Sequence, residues 1–535
     1  MQDAERAELE ARLHEVSSER DQYRLLYMQM LERCAMLERG IIAGKKAERF
    51  EGPTEQLALH VLGELLAPDE ESAAPPEPPA KDESAVERER RRPMGRRRIP
   101  PELPRITVEV LPLEVQRDGL DAFERIGEEV SEVLERRPAS VVVVRLVRPK
   151  FVRRRTPQQD DVTEPPVLIA EPPERPIERG LAGPGFLADP LVRRWQDHLP
   201  LYRQESIHKR DGLDLARSTI CGWHERLADL AAPLLKAMLH DAFTQPYLCV
   251  DATGVLVQAE EQCRRAHFWV LVAPERQLLY SYSHRHDSET TSRLLAGYKG
   301  YLVADAHSVY DHLYRSGDVI EVGCWAHCRR YFYKALGSDP ERALAALSLI
   351  KSLYRIERSL KTAPRKKREE TRRQKSLPIV GTFFEWCDKQ APVVLEATPI
   401  ADAIRYARNQ RDALARFLDD GRLPLDNNVS EQHLRREVLG RKNWLFLGSD
   451  EGAHANTTFV SLLASCQLQN VEPWAYLRDL LCLLPAWPKS RILELAPAFW
   501  RKTLEQEDTK QRLNLNPFRA ATLVVDFPIV SSDRP

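Results

Sequence analysis

The feature that most constrains this chain is the stretch Tyr247–Gln258, in which an apolar run leads directly into a carboxylate. Residues Tyr247–Val250 have the β-branched and aromatic character of a strand covered on both faces, and Asp251 follows them without a break. A carboxylate in such a strand costs several kcal/mol unless it is paired or bound to a cation. The alternative is a turn aspartate at the tip of a hairpin, which Gly254 would favour.

A second stretch, Gly300–Tyr310, repeats this arrangement. Leu302–Ala304 predict a short apolar strand, and Asp305 stands at its end. Two strand-like runs and a short helix capped near Asp287 lie between the two aspartates, so the predicted order is strand, strand, strand, helix, strand. In ribonuclease-H-like folds the first and fourth of these strands lie side by side, and we therefore expect Asp251 and Asp305 to meet.

A third carboxylate stands on a predicted helix much later in the chain. Asp426 is placed to cap this helix, which carries Glu431. Glu431 shares a face with Leu434 and Val438, which must pack inward, so we expect it to point toward the sheet. A surface pair between Glu431 and Arg435, worth a few tenths of a kcal/mol, is the alternative. Asp426 is the second candidate for the third acid.

Three convergent carboxylates predict a particular chemistry. They supply the oxygen ligands and the negative charge that two hard divalent cations need. Two such ions, roughly 3.5–4 Å apart, can activate an attacking oxygen and neutralise the leaving oxygen in phosphoryl transfer.

Several motifs occur in an order that is typical of one known family. They are DATGV at Asp251, ADAHSVY at Ala304, CWAHCRRYF at Cys324, DNNVSEQHLR at Asp426 and GRKNWLFLGSDEG at Gly440. Upstream segments extend the similarity to roughly residues 182–484. On these motifs the chain resembles transposases of the insertion sequence sixty-six family, which carry a DDE catalytic triad.

The resemblance implies a multidomain α/β protein with a ribonuclease-H-like catalytic core and the activity of a DDE-type polynucleotidyl transferase. Asp251, Asp305 and Glu431 would be the catalytic residues and the ligands of two Mg²⁺ ions, with Mn²⁺ able to substitute. Water and then a freed 3′-hydroxyl would attack phosphodiesters at the ends of an insertion sequence and join it to a target. The implied partners are terminal inverted repeats, target DNA and accessory proteins from the same element.

Some positions depart from the family pattern. Ala252 and Gly254 replace residues usually found beside the first aspartate, and Ala306-His307 replace the usual Gly-Tyr after the second. All three acids remain, which favours an active enzyme. A catalytically decayed DNA-binding relic and another ribonuclease-H-type DNA nuclease are the alternatives.

The charge balance indicates that DNA binding depends on local basic patches. Lys plus Arg number 79 and Asp plus Glu number 80, which gives a net charge of −1. The candidate DNA-binding residues are Arg435, Arg436, Arg441, Lys442, Arg153, Arg154 and Arg155. No apolar run approaches the roughly 18 residues of a membrane helix, and the N-terminus lacks the apolar segment of a signal peptide. We therefore expect a cytoplasmic bacterial protein that associates with the nucleoid when it acts, and no membrane partner.

The N-terminal region predicts an oligomerisation element. In residues 1–50 an apolar seam repeats every seven positions, which is typical of a coiled coil that pairs identical chains. Packing of this helix onto its own domain is the alternative. Residues 51–98 are acidic and proline-rich and end in an arginine cluster, and this composition predicts a disordered linker.

Residues 99–160 predict a small α+β domain. Strands at Thr107–Leu111 and Val141–Val147 would flank a helix at Asp121–Glu135. The family usually has a zinc-binding module here, but this chain has no cysteine between Cys34 and Cys221. We therefore expect the module to persist without structural zinc.

The remaining regions are predicted to be mainly helical, apart from the core sheet. Residues 182–243 form a helix-turn-helix or a plain helical pair around Gly212. The catalytic core spans residues 244–450, with a helical insertion at about 339–420 that contains a basic stretch, Pro364–Lys375, as a candidate DNA-facing edge.

Cys324, His327 and Cys328 form either a metal site or a packed helix start, and the second is favoured because a fourth ligand is missing. Residues 451–487 predict a closing helical pair, and the tail at 488–535 carries no prediction.

Overall fold

Two β-sheets and the helices packed on them make up the part of the chain that the computed structural model describes. This part comprises residues 99, 101, 103–137, 140–153, 167–259 and 262–523. The coiled coil predicted for 1–50, the linker predicted for 51–98, Arg154, Arg155 and the last twelve residues of the tail lie outside the described residues. Within the described part, no helix combines the length and the apolar character needed to cross a membrane.

The first sheet is built on a long hairpin. Its strands are β1 (Arg105–Glu109), β2 (Phe123–Arg137), β3 (Ser140–Arg153) and β4 (Leu168–Ile169). β2 runs antiparallel to β3 along one side of it. β1, which is parallel to β3, and β4, which is antiparallel, pair with its other side.

The helix predicted for Asp121–Glu135 is wrong. Most of this segment is strand β2, which pairs with β3 from Phe123 to Arg137 with one register shift between Arg125 and Gly127. Its glutamates suggested a helix, but a long ladder to the valine-rich β3 overrides such local preferences.

The C-terminal region completes the core of this first sheet. Ile106, Val133 and Val142 are buried in one cluster with Phe518 and Ala521. Phe518 and Ala521 belong to the C-terminal tail, for which we made no prediction, so part of that tail is a helix packed on the sheet.

The second sheet has five strands in the order β7-β6-β5-β8-β9. They are β5 (Tyr247–Val257), β6 (Arg264–Ala273), β7 (Gln277–Ser283), β8 (Gly300–Val303) and β9 (Val319–Val322). β5, β6 and β7 form an antiparallel meander, whereas β8 and β9 continue the sheet in parallel with β5. The strands predicted on both sides of Asp251 and before Asp305 are therefore confirmed.

Among the described residues, the first nine helices are α1 (Leu113–Asp118), α2 (Pro184–Trp195), α3 (Leu201–Arg210), α4 (Arg217–Ala242), α5 (Ser288–Leu294), α6 (Asp311–Tyr314), α7 (Trp325–Ala335), α8 (Pro340–Ser359) and α9 (Arg365–Thr371). A π-helical turn, Arg372–Ser376, follows α9. The later helices are α10 (Leu377–Gln390), α11 (Pro399–Asn409), α12 (Arg411–Ala415), α13 (Asn428–Trp444), α14 (Asp450–Leu468), α15 (Pro473–Leu483), α16 (Trp500–Glu505), α17 (Glu507–Leu515) and α18 (Pro517–Leu523). Short 3₁₀ segments occupy Leu120–Ala122, Ser308–Tyr310, Arg416–Leu418, Leu484–Ala486 and Lys489–Leu495.

Helix α14 covers the open edge of the second sheet. The backbone N–H of Tyr280 in β7 donates to Ser461 Oγ at 2.7 Å, and that of Leu278 donates to Ser465 Oγ at 3.0 Å. Ser465 Oγ also donates to the carbonyl oxygen of Leu278 at 3.1 Å. Two serines of one helix thus satisfy strand groups that would otherwise need another strand.

Helices α8–α12 lie between β9 and α13 in the sequence, where a helical insertion was predicted. In α8 the buried stripe consists of Ala343, Ala346, Ile350 and Leu353. Leu349 and Ile356 of the same helix are only half-buried.

Candidate active site

The sheet register brings Asp251 and Asp305 to equivalent positions on neighbouring strands. β5 and β8 are parallel, and Cys249 is paired with Val303. Asp251 lies two residues beyond Cys249, and Asp305 lies two residues beyond Val303. Side chains that follow neighbouring parallel strands meet at one edge of a sheet, so the two carboxylates share this edge.

Asp251 is not at the tip of a hairpin. β5 continues to Val257, and Asp251 is itself paired with Val270 of β6. The alternative in which Gly254 makes a turn is therefore wrong, and Asp251 is a strand residue at the point where β8 ends.

Helix α13 brings Glu431 toward the same edge of the sheet. Asn427, immediately before the helix, is fully buried and donates from Nδ2 to the carbonyl oxygen of Val250 at 2.9 Å. Its backbone N–H donates to Cys324 Sγ at 3.2 Å. These two bonds fix the start of α13 against the strand residue that precedes Asp251.

The pKa of Asp251 is affected by the charges of both other acids. The pKa of the Asp251 carboxyl is raised to about 7, chiefly by burial and further by the negative charges of Asp305 and Glu431. A hydrogen bond of 2.8 Å from the backbone N–H of Ala252 and the positive charge of Arg330 act in the opposite direction. Asp251 is thus a half-buried acid whose surroundings, on balance, disfavour its charged form.

Glu431 is held by two basic side chains of α7. Its Oε1 lies 3.4 Å from Arg330 Nη2 and 3.7 Å from His327 Nε2. Burial and the charge of Arg330 lower the pKa of the His327 imidazole, which favours its neutral form. Among the described residues Glu431 pairs with Arg330, and the alternative surface pair with Arg435 is not formed.

Asp426, the second candidate for the third acid, is engaged in local hydrogen bonds. Its Oδ2 accepts from Tyr354 Oη and Asn428 Nδ2, both at 2.8 Å, and its Oδ1 accepts from the backbone N–H of Asn428 at 3.1 Å. Asp426 thus bonds the first residue of α13, but the N-cap position is Asn427, whose side chain makes no capping bond, so the predicted cap by Asp426 is wrong.

The three acids provide a donor set that suits divalent cations. All three are carboxylates, and cations beside Asp251 would relieve its unfavourable burial. Among the described residues, however, no group of three His, Cys, Asp or Glu side chains is close enough together to hold a metal ion. Glu431 is directed to Arg330 in this conformation, so binding needs a side-chain rearrangement.

The environments of Cys324 and Cys328, at the start of α7, favour a packed helix start over a metal site. Burial raises the pKa of the Cys324 thiol to about 11 and raises that of Cys328 well above its ordinary value, which disfavours thiolates. Trp325 and Phe332 are fully buried beside them. The predicted packed helix start is confirmed.

The predicted DNA-binding residues fall into different environments. Arg435 and Lys442 are exposed, and Arg441 is half-buried. Arg436 instead donates to the carbonyl oxygen of Trp195 at 3.3 Å and to Gln196 Oε1 at 2.8 Å, and it also bonds Gln467. The same arginine therefore joins α13 to α2 and α14.

Arg153 is exposed, forms an ion pair with Asp118 and lies 4.9 Å from the centroid of the Phe123 ring.

Two residues near the acids were not identified from the sequence. Asn427 and Arg330 both lie in motifs that carried the family resemblance, DNNVSEQHLR and CWAHCRRYF. A motif shows that its residues belong together, but only the fold shows that Asn427 contacts β5 and that Arg330 contacts Glu431.

Comparisons with known proteins agree with the resemblance. The sequence matches the family described as Transposase IS66 family over residues 179–455. It also matches the IS66 C-terminal element over residues 461–498 and the Transposase C of IS166 homeodomain over residues 43–108.

Related curated proteins come from Sinorhizobium fredii. The uncharacterized protein y4qI is 32% identical over 435 residues, which are 77% of this chain and 79% of that protein. The uncharacterized protein y4hP is 28% identical over 488 residues, which are 86% of this chain and 87% of that protein. The chain belongs to the IS66 family of transposases.

Proposed function

We propose that this chain is a DNA transposase that uses Asp251, Asp305 and Glu431 to cleave the ends of an insertion sequence and to join them to target DNA. The observation that carries the proposal is that Asp251 and Asp305 each lie two residues beyond the paired residues Cys249 and Val303 of two parallel neighbouring strands. The pKa of Asp251 is raised to about 7, chiefly by burial and in part by both other acids. Family membership supports the reaction class.

The order of the second sheet supports a ribonuclease-H-like core. Three antiparallel strands are followed by two strands parallel to the first, with a helix between β7 and β8. Asp251 lies in β5 beyond the part that pairs with β8, and Asp305 follows the end of β8. The third acid, Glu431, comes from a later helix. This is the arrangement that the sequence resemblance implied.

In this mechanism the chain places three carboxylates around the reacting phosphodiester. Two Mg²⁺ ions, or Mn²⁺, when bound by these carboxylates, would supply Lewis-acid activation of the attacking oxygen and neutralise charge on the leaving oxygen. Asn427 holds the start of the helix that carries Glu431. Burial at the sheet edge limits water around Asp251, which strengthens its electrostatic interactions.

We further propose that exposed basic side chains contact the DNA backbone. Arg435 and Lys442 are exposed on the helix that carries Glu431, with Arg441 near them in the sequence, and Arg153 is exposed on the first sheet. Replacing Arg435 by Gln should weaken binding of an element-end duplex and reduce the salt dependence by about one counterion. The residues 1–50 would pair copies of the chain.

Three substitutions that replace a carboxylate by a neutral amide of similar shape test the catalytic assignment. Asp251→Asn, Asp305→Asn and Glu431→Gln should each abolish Mg²⁺-dependent strand cleavage of an element-end duplex, while binding of that duplex persists. Glu289→Gln, at an exposed position in α5, is the matched control and should cleave normally. Retained cleavage by Asp251→Asn would refute the assignment. Binding without cleavage by the unchanged chain would indicate the decayed relic instead.

A further inference from the structure

Arg330 lies where it can compete with a cation for the third carboxylate. Its Nη2 is 3.4 Å from Glu431 Oε1, and its positive charge also acts on Asp251. The guanidinium therefore serves as a counter-charge for acids that come from two different elements, strand β5 and helix α13. It belongs to α7, so it is not part of either element.

The contact between Arg330 and Glu431 is suited to being exchanged. The Arg330 side chain is 56% exposed, whereas that of Glu431 is 30% exposed. An exposed ion pair contributes little to stability, because water and salt screen it and two long side chains must be ordered. The pair can therefore open at low cost when another anion reaches the arginine.

A DNA phosphate is an anion of suitable chemistry. A guanidinium binds phosphate oxygens through paired N–H donors, as well as it binds a carboxylate. His327 approaches Glu431 from the more buried side at 3.7 Å, with a side chain that is 19% exposed. It can thus remain as a neighbour of Glu431 while the exposed Arg330 turns away.

We propose that Arg330 is a positioning residue that exchanges Glu431 for a phosphate of the bound DNA, and so frees the third carboxylate for a divalent cation only when DNA is present. This inference rests on the proposed function, since it takes Glu431 to be a cation ligand. It explains how Arg330 could provide a counter-charge for Glu431 before the protein meets DNA. It also predicts that DNA and cation bind cooperatively through one side chain.

The test measures Mn²⁺ affinity of the full chain, alone and with a duplex that carries the element end, by electron paramagnetic resonance of the free ion. For the unchanged chain the duplex should increase Mn²⁺ affinity. For Arg330→Gln we expect Mn²⁺ to bind roughly two- to fivefold more tightly without DNA, because an exposed ion pair is weak. Addition of the duplex should then give little further gain.

Two further variants make the readout specific. Arg329→Gln removes the same charge from the exposed neighbouring position and should behave like the unchanged chain. Arg330→Lys retains the charge and should restore part of the coupling, which a merely structural role would not predict. Thermal unfolding of each variant checks that the fold is intact.

The outcomes separate this inference from the proposed function. If Arg330→Gln binds Mn²⁺ as the unchanged chain does, or keeps full coupling to DNA, the exchange is wrong while the catalytic assignment stands. If Glu431→Gln leaves Mn²⁺ binding unchanged, Glu431 is not a cation ligand and both proposals fail.

Discussion

The side-chain amide of Asn427 donates a hydrogen bond of 2.9 Å to the carbonyl oxygen of Val250. These residues are 177 positions apart, yet the bond joins the helix that carries Glu431 to the strand that carries Asp251. Asn427 is fully buried, so water cannot replace the bond. This buried amide is thus one of the contacts that set the relative position of two proposed catalytic acids.

The first prediction follows from this bond. Asn427→Ala should lower the free energy of unfolding by about 1–3 kcal/mol, because it leaves a buried carbonyl without its donor. Asn427→Ala should also reduce cleavage of DNA strands, since the start of α13 loses its hydrogen bond to strand β5. Urea unfolding and cleavage of an element-end duplex measure the two effects.

Asn428→Ala is the matched control for this prediction. Asn428 is the exposed neighbour, and its side chain donates only to the nearby Asp426. We expect a change in stability within about 0.5 kcal/mol. Equal losses in the two variants would contradict the role given to the buried amide.

The local sequence predicted the strands that lead into Asp251 and Asp305 better than it predicted the surroundings of the proposed site. An apolar run that ends in Asp251 or Asp305 marks a strand wherever it occurs, so the two strands were found. Whether an arginine faces solvent or other chain segments depends on tertiary packing. Arg436 and Arg372 look like DNA-binding residues in the sequence, but both bond to other parts of the protein. The strand β2 was missed for the same reason, since its partner β3 determines its conformation.

The second prediction concerns Arg372, in the basic stretch Pro364–Lys375. It is 1% exposed and bonds both carboxylate oxygens of Glu357, at 2.8 and 2.7 Å. It also donates to the carbonyl oxygens of Phe417, Asp420 and Leu423. Arg372→Met should cost about 3–5 kcal/mol, because it leaves a partly buried charge and several carbonyls unpaired.

Arg373→Met is the control for this substitution, because Arg373 is the adjacent residue and is exposed. Its effect on urea unfolding should stay within about 0.5 kcal/mol. A loss below about 1 kcal/mol for Arg372→Met would show that the buried network contributes little.

The third prediction concerns the contact between β2 and α2. Glu135 is fully buried and accepts the backbone N–H of Phe186 at the start of α2. A Cβ at Gly185 would lie 2.5 Å from Glu135 Oε1 and 2.8 Å from the carbonyl oxygen of Arg136. Gly185→Ala should therefore destabilise the protein by about 1–3 kcal/mol, because the backbone must shift.

Gly222→Ala gives the opposite expectation. Gly222 lies inside α4, and a Cβ there would meet no atom within 4 Å. Alanine should stabilise this helix by up to about 1 kcal/mol, since it costs less backbone entropy than glycine. Thermal unfolding of both variants measures the contrast, and stabilisation by Gly185→Ala would exclude the close packing around Glu135.

The fourth prediction is acid sensitivity that originates at His224. This residue is 3% exposed in α4, and its ring lies 5.9 Å from Trp195 and 6.2 Å from Phe459 between centroids. Burial, with a smaller effect from Arg194, lowers the pKa of the His224 imidazole to about 3. An unfolded histidine binds its proton near pH 6.5, so between these values the unfolded chain holds more protons and stability falls as pH falls.

The size of this effect does not depend on the exact folded pKa as long as that value is well below 5. Between pH 7 and pH 5 the His224 contribution should reduce the free energy of unfolding by about 2 kcal/mol. His224→Gln should remove this part of the pH dependence, whereas His240→Gln, at an exposed position of the same helix, should leave it unchanged. Urea unfolding of the three proteins at both pH values measures it. An unaltered pH dependence in His224→Gln would mean that His224 is solvated well enough to accept a proton in the folded protein.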